Sequence, residues 1–158
     1  MQSPHGSKPS AAKSSRPLTS SVLFPEIEKR FKENPSETAS LQGLFIFSIL
    51  RQRQIVDEWS ILFPGAGSRS LPEVHHQAIP SGLAEKAKKR LSTVVIELDD
   101  RDLVKYITGS LTGLKGVTSG RIHIAGDIDL ALKLEDMFLK VGGIQQTLAF
   151  LRERQSKL

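Results

Sequence analysis

The run Gly43-Leu44-Phe45-Ile46-Phe47-Ser48-Ile49-Leu50 constrains this chain more than any other segment. It is apolar at odd and even positions alike and rich in aromatic and β-branched residues. A strand presents successive side chains to opposite faces, so a run of this kind must be covered on both sides. Polar Arg51-Gln52-Arg53-Gln54 then turns the chain, and Trp59-Ser60-Ile61-Leu62-Phe63, closed by Pro64-Gly65, reads as a partner strand. Together they predict a hairpin.

Helical periodicity surrounds it. Leu23, Phe24, Ile27 and Phe31 recur at helical spacing between Ser21 and Lys32, and Asn34-Pro35 stops that helix. Thr93-Val94-Val95-Ile96-Glu97-Leu98 reads as a third strand. Asp99 or Asp100 then caps a helix carrying Leu103, Val104, Ile107 and Leu111, with Gly109 as its terminator. Gly120 to Gly126 is a short strand bounded by glycines, and Asp127 is placed to cap a helix from Ile128 to Leu139. That helix is apolar over two sectors, Leu130, Ala131, Leu134, Met137 and Phe138 on one and Ile128 and Leu132 beside it. So wide an arc implies burial against more than one surface. A further helix is expected from Ile144 to Arg154, whereas 65–91 carries weak signals beyond one or two helical turns near Leu83 to Leu91.

Length and composition bound the rest. The 158 residues fit one domain, expected over 22–158, while residues 1–21 contain no acid, much Ser and three prolines and read as a disordered leader. No apolar run is long enough to span a bilayer. With no cysteine the chain has no disulfide, thiolate nucleophile or cysteine zinc site. The formal charge of +5 points to anionic partners, but 17 acidic residues interspersed with 22 basic ones argue against nucleic acid. The basic cluster Lys86-Ala87-Lys88-Lys89-Arg90 is either a solvated face or a transient contact with an anionic membrane surface.

No catalytic or metal constellation emerges. His5, His75-His76 and His123 lack ligand spacing, and His75-His76 read as loop residues. The carboxylates of Asp99-Asp100 and of Glu135-Asp136 diverge as neighbours in a turn or helix. Gly113 to Gly120 lacks the Gly-Lys-Ser/Thr end of a phosphate loop, so its glycines are read as turn residues. The chain is therefore read as a non-enzyme with no cofactor and no metal.

The terminal Ser156-Lys157-Leu158 is a tripeptide of the kind read by the peroxisomal import receptor, which makes that receptor an expected partner and the peroxisome the expected location.

From Thr93 to Phe138 the chain resembles the sterol carrier protein-2 family. The most specific portion is Gly120-Arg121-Ile122-His123-Ile124-Ala125-Gly126-Asp127 followed by Leu130-Ala131-Leu132-Lys133-Leu134, and the hairpin with Trp59 fits more loosely. The resemblance implies an α+β fold: a five-stranded, mostly antiparallel sheet with helices packed on one side, enclosing a hydrophobic tunnel. It implies a carrier for fatty acids, fatty acyl-CoA or sterols, and members commonly end in such a peroxisomal address. On that basis Leu103, Tyr106, Ile107, Val117, Ile122, Ile124, Leu130, Leu134, Met137 and Phe138 are expected to line the tunnel, about half of them as ordinary core. Gly116-Val117-Thr118 departs from the bulkier family pattern, the 67–91 segment is longer than usual, and a C-terminal helix is added. The competing expectation is a protein-interaction module on the same fold without an open lipid pocket.

Overall fold

Residues 17–65, 71–77 and 92–141, together with 149, 152 and 153, are described by the computed structural model. Helix α1 (Ser20–Glu33) and the short α2 (Pro35–Thr38) precede strands β1 (Gln42–Arg51), β2 (Gln54–Pro64) and β3 (Glu73–His76). Strand β4 (Thr93–Asp99), helices α3 (Asp100–Thr108) and α4 (Gly113–Thr118), strand β5 (Ile122–Gly126) and helix α5 (Ile128–Val141) complete the domain. Among the described residues no helix is long and apolar enough to cross a membrane.

The sheet runs in the order β3-β2-β1-β4-β5, so the two-sided strand β1 lies at its centre. Among the described residues only β1 and β4 pair in parallel; the other three pairings are antiparallel. Phe45, Phe47 and Ile49 share one face with Trp59, Ile61 and Phe63 of β2 and Val94, Ile96 and Leu98 of β4. That face forms a single core with α1, α3 and α5. Leu44, Ser48, Ser60 and Leu62, on the opposite face, are also buried, so β1 and β2 are covered on both sides as the apolar run required.

The hairpin turn is tighter than the four polar residues implied. Gln52 and Arg53 alone make it, both in the left-handed region (φ 55° and 66°), the two-residue geometry that matches the twist of the flanking strands. The helix ends follow the sequence closely. Asp99 caps α3 by accepting from the Arg101 N–H at 2.8 Å, Gly109 ends it at φ 87°, and Asp127 accepts from the Leu130 N–H at 3.1 Å. Pro25 sits within the first turns of α1 and Pro35 opens α2, where its missing N–H has no helical partner to lose.

Three expectations are corrected. The second apolar sector of α5 is not buried: Ile128 is 52% and Leu132 51% exposed, because the core covers only the side carrying Leu130, Leu134, Met137 and Phe138. His75 and His76 belong to edge strand β3, paired with Ser60 and Trp59, because backbone pairing and a ring stack outweigh their polarity. Gly113 to Thr118 forms a helix rather than a turn, capped by Thr112, whose side chain accepts from the Lys115 N–H. Its buried Gly116 is needed for space: a Cβ there would lie 2.3 Å from Ile122 Cδ1, so α4 rests directly on β5. Most of the Leu83–Leu91 turns and the Ile144–Arg154 helix lies outside the described residues, as do Lys86–Arg90, Ser156–Leu158 and residues 1–16 of the leader.

Candidate functional site

Helix α1 lies across the sheet on an aromatic bed. Phe24 stacks on Trp59 (centroids 4.9 Å apart, planes at 10°) and meets Phe47 edge-on at 5.2 Å, while Phe31 meets Phe63 edge-on at 5.3 Å. Trp59 is sandwiched, with His76 stacked at 4.1 Å and held by Asp57, whose Oδ1 lies 2.8 Å from His76 Nε2. The start of α1 is tied down separately. Asp100, buried at the first position of α3, accepts from the backbone N–H of Thr19 at 2.7 Å and of Ser20 at 2.9 Å. Neighbouring aspartates thus do divergent work: Asp99 caps its own helix and Asp100 caps another. Glu135 and Asp136 diverge likewise, Glu135 inward to the Gly113 N–H at 3.0 Å and Asp136 to Lys140 Nζ at 3.1 Å.

Where α1, α3 and α5 meet, Leu23, Ile27, Phe31, Ile107, Phe138 and Val141 border an apolar cleft, with Glu26 and Arg30 beside it as an ion pair at 3.1 Å. Its free volume is about 20 Å³, room for roughly one water molecule. The walls are greasy but nearly closed. A chain molecule can be held here only if the helices part.

Of the ten residues expected to line a tunnel, two, Ile107 and Phe138, border this cleft. Leu103, Tyr106, Ile122, Leu130, Leu134 and Met137 are buried within the core, and Ile124 packs half-buried against it. Val117 lies on α4 and is 47% exposed. Leu23, Ile27, Phe31 and Val141 were absent from that set. The α1 stripe was visible as an amphipathic helix, but periodicity does not tell which neighbour its face meets.

One polar pair sits in the apolar interior. The Tyr106 hydroxyl and Glu135 Oε2 are both buried without a partner in hydrogen-bonding geometry. Burial first, and the nearby Glu135 carboxylate second, push the Tyr106 phenol far above its ordinary value, so it stays neutral. Among the described residues no three His, Asp or Glu side chains group to hold a metal ion. The arrangement is suited to enclosing an apolar body.

A five-stranded mixed sheet with three helices over one face and an apolar cleft between them makes an α+β fold. The model of the SCP-2 sterol transfer family matches residues 24–139, and the chain belongs to that family. The fold is that of several solved structures. Sterol carrier protein-2 like-3 from Aedes aegypti has a TM-score of 0.61 at 14% identity over 78% of this chain and 99% of its own. Sterol carrier protein domain 2 of Helicoverpa armigera has 0.57 at 20%, over 82% and 94%. The sterol carrier protein-2 of A. aegypti solved in complex with the C16 fatty acid palmitate has 0.56 at 16%, over 80% and 99%. No curated protein sequence matches this chain.

Proposed function

We propose that this protein is a non-enzymatic lipid carrier. It takes up a fatty acid, a fatty acyl-CoA or a sterol between α1, α3 and α5 and transfers it, and Ser156-Lys157-Leu158 directs it to the peroxisome through the import receptor. The observation that carries the reading is the apolar cleft between three helices, Leu23, Ile27 and Phe31 facing Ile107, Phe138 and Val141. Membership of the SCP-2 sterol transfer family and the palmitate complex of the mosquito protein support it. An acyl chain gains about 0.8 kcal/mol per buried methylene, so ten offer roughly 8 kcal/mol before the helices are parted and the chain ordered. Without those losses that corresponds to about micromolar binding, so the carrier's affinity hinges on how little it takes to part α1 from α5.

The small free volume favours a second reading, a protein-interaction module whose interior stays packed. Titration with a fluorescent fatty acid separates the two. The carrier reading expects saturable binding that Ile27→Trp weakens by filling the cleft. A folded sample with no saturable signal up to high micromolar concentration refutes it. Mass spectrometry of lipid that co-purifies with the full chain then identifies the natural class.

A further inference from the structure

A second hollow, of about 420 Å³, lies at the hairpin end of the sheet and shares no lining residue with the apolar cleft. Four cations from three separate parts of the chain converge on it: Arg53 from the β1–β2 turn, Arg101 and Lys105 from α3, and Arg121, the residue just before β5. Its size is within the range of small-molecule clefts, about 300–1,000 Å³. Two carboxylates also face it, Asp99 and Asp102, which leaves a surplus of two positive charges.

Those carboxylates position guanidinium groups. Asp102, only 10% exposed at its side chain, accepts from Arg121 Nε at 3.3 Å and from Arg121 Nη2. Asp99 accepts from Arg101 Nε at 3.0 Å. Burial works against ionisation of Asp99, but the hydrogen bonds from Arg101 and the charges of Arg101 and Arg51 hold its carboxyl below its ordinary value. Arg53 and Lys105 form no ion pair with any carboxylate among the described residues.

We propose that this hollow binds a phosphate-bearing anion. Two guanidinium groups pre-set by carboxylates offer the planar donor pairs that match phosphate oxygens, and the unpaired Arg53 and Lys105 supply the charge that a phosphate neutralises. The phosphate is carried either by a soluble molecule or by a lipid headgroup, and the site requires no lipid in the apolar cleft.

The test uses the full chain, with pyrophosphate in calorimetry and phosphatidic acid vesicles in flotation, both at fixed ionic strength. Two double variants are compared, Arg53→Gln/Lys105→Gln in the hollow and Lys32→Gln/Lys133→Gln, which removes the same charge elsewhere on the surface. Saturable pyrophosphate binding, weakened about tenfold by the first variant and scarcely by the second, establishes the site with a soluble ligand. Vesicle binding without pyrophosphate binding, lost in the first variant alone, establishes it with a lipid headgroup. Equal weakening in both variants, or no binding to either probe by the folded chain, overturns the proposal.

Discussion

Replacing Asp100 by Ala removes the carboxylate that closes the start of α1. Its two acceptor bonds, 2.7 Å from the Thr19 N–H and 2.9 Å from the Ser20 N–H, are charge-assisted, and Ser20 is fully buried. Hydrogen bonds to charged groups contribute about 1.5–3 kcal/mol each, and the lower figure suits bonds at a helix end that water reaches in part. Two such bonds give about 3 kcal/mol, while Arg51, 4.0 Å from the carboxylate, adds little. The loss of an acidic residue from the first turn of α3 is offset in part by the better helix propensity of Ala. The expected destabilisation is therefore about 3 kcal/mol, or a fall of roughly 1–2 M in the urea midpoint at an m-value of about 2 kcal/mol/M. Trp59 is the sole tryptophan and is stacked on Phe24, so its fluorescence follows both global unfolding and the release of α1. Asp100→Asn, which keeps an acceptor but loses the charge, should lose about half as much. A loss below about 1 kcal/mol for Asp100→Ala would mean that water serves these N–H groups equally well, and the argument for a tied-down α1 would fail.

Gly126→Ala should be as poorly tolerated as a core truncation. Its φ is +106° and an added Cβ would meet the Thr93 carbonyl oxygen at 2.2 Å, so a loss of about 2–5 kcal/mol is expected by denaturant titration. Tyr106, whose pKa is raised by burial, keeps its proton in the folded state while the unfolded chain releases it above about pH 10. The folded state then binds more protons, so stability falls with rising pH above that point by up to about 1.4 kcal/mol per pH unit. Tyr106→Phe should flatten that fall in urea midpoints measured between pH 9 and 11, and an unchanged slope would place the titration elsewhere. Deleting Leu158 should abolish peroxisomal import of a fluorescent fusion and leave fatty-acid binding intact, and import that persists would contradict the targeting role of the tripeptide.

Much of the fold is legible locally because its signals are local. Asp99, Gly109 and Asp127 stop or start helices through bonds to residues two or three positions away, and these appear where the sequence places them. The strand edges were less legible. Gln54 to Glu58 mixes three polar residues with an exposed Ile55-Val56 pair, yet it extends β2 because the tight turn at Gln52-Arg53 sets the register. Strand β3 shows the same effect: His75 and His76 have little strand signal of their own and are ordered by pairing with β2 and by the Trp59 ring. At the candidate site, the sequence reads α5 as buried on two sides, but only the side carrying Leu130, Leu134, Met137 and Phe138 is buried, and the partner of that side was not readable. Phe138 and Val141 meet Leu23, Ile27 and Phe31 across more than a hundred residues of chain, and no periodicity encodes that distance.

By itself, then, the sequence determines the central two-sided strand, the ends of α1, α3 and α5 and the family motif from Gly120 to Leu134, since apolar patterning, capping and turn chemistry act over a few residues. Only the tertiary structure decides that Asp100 caps α1, that four cations gather around one hollow and that the space between α1 and α5 closes to about 20 Å³. Those outcomes depend on which faces meet when the chain collapses, and that is set by the summed packing of the whole core.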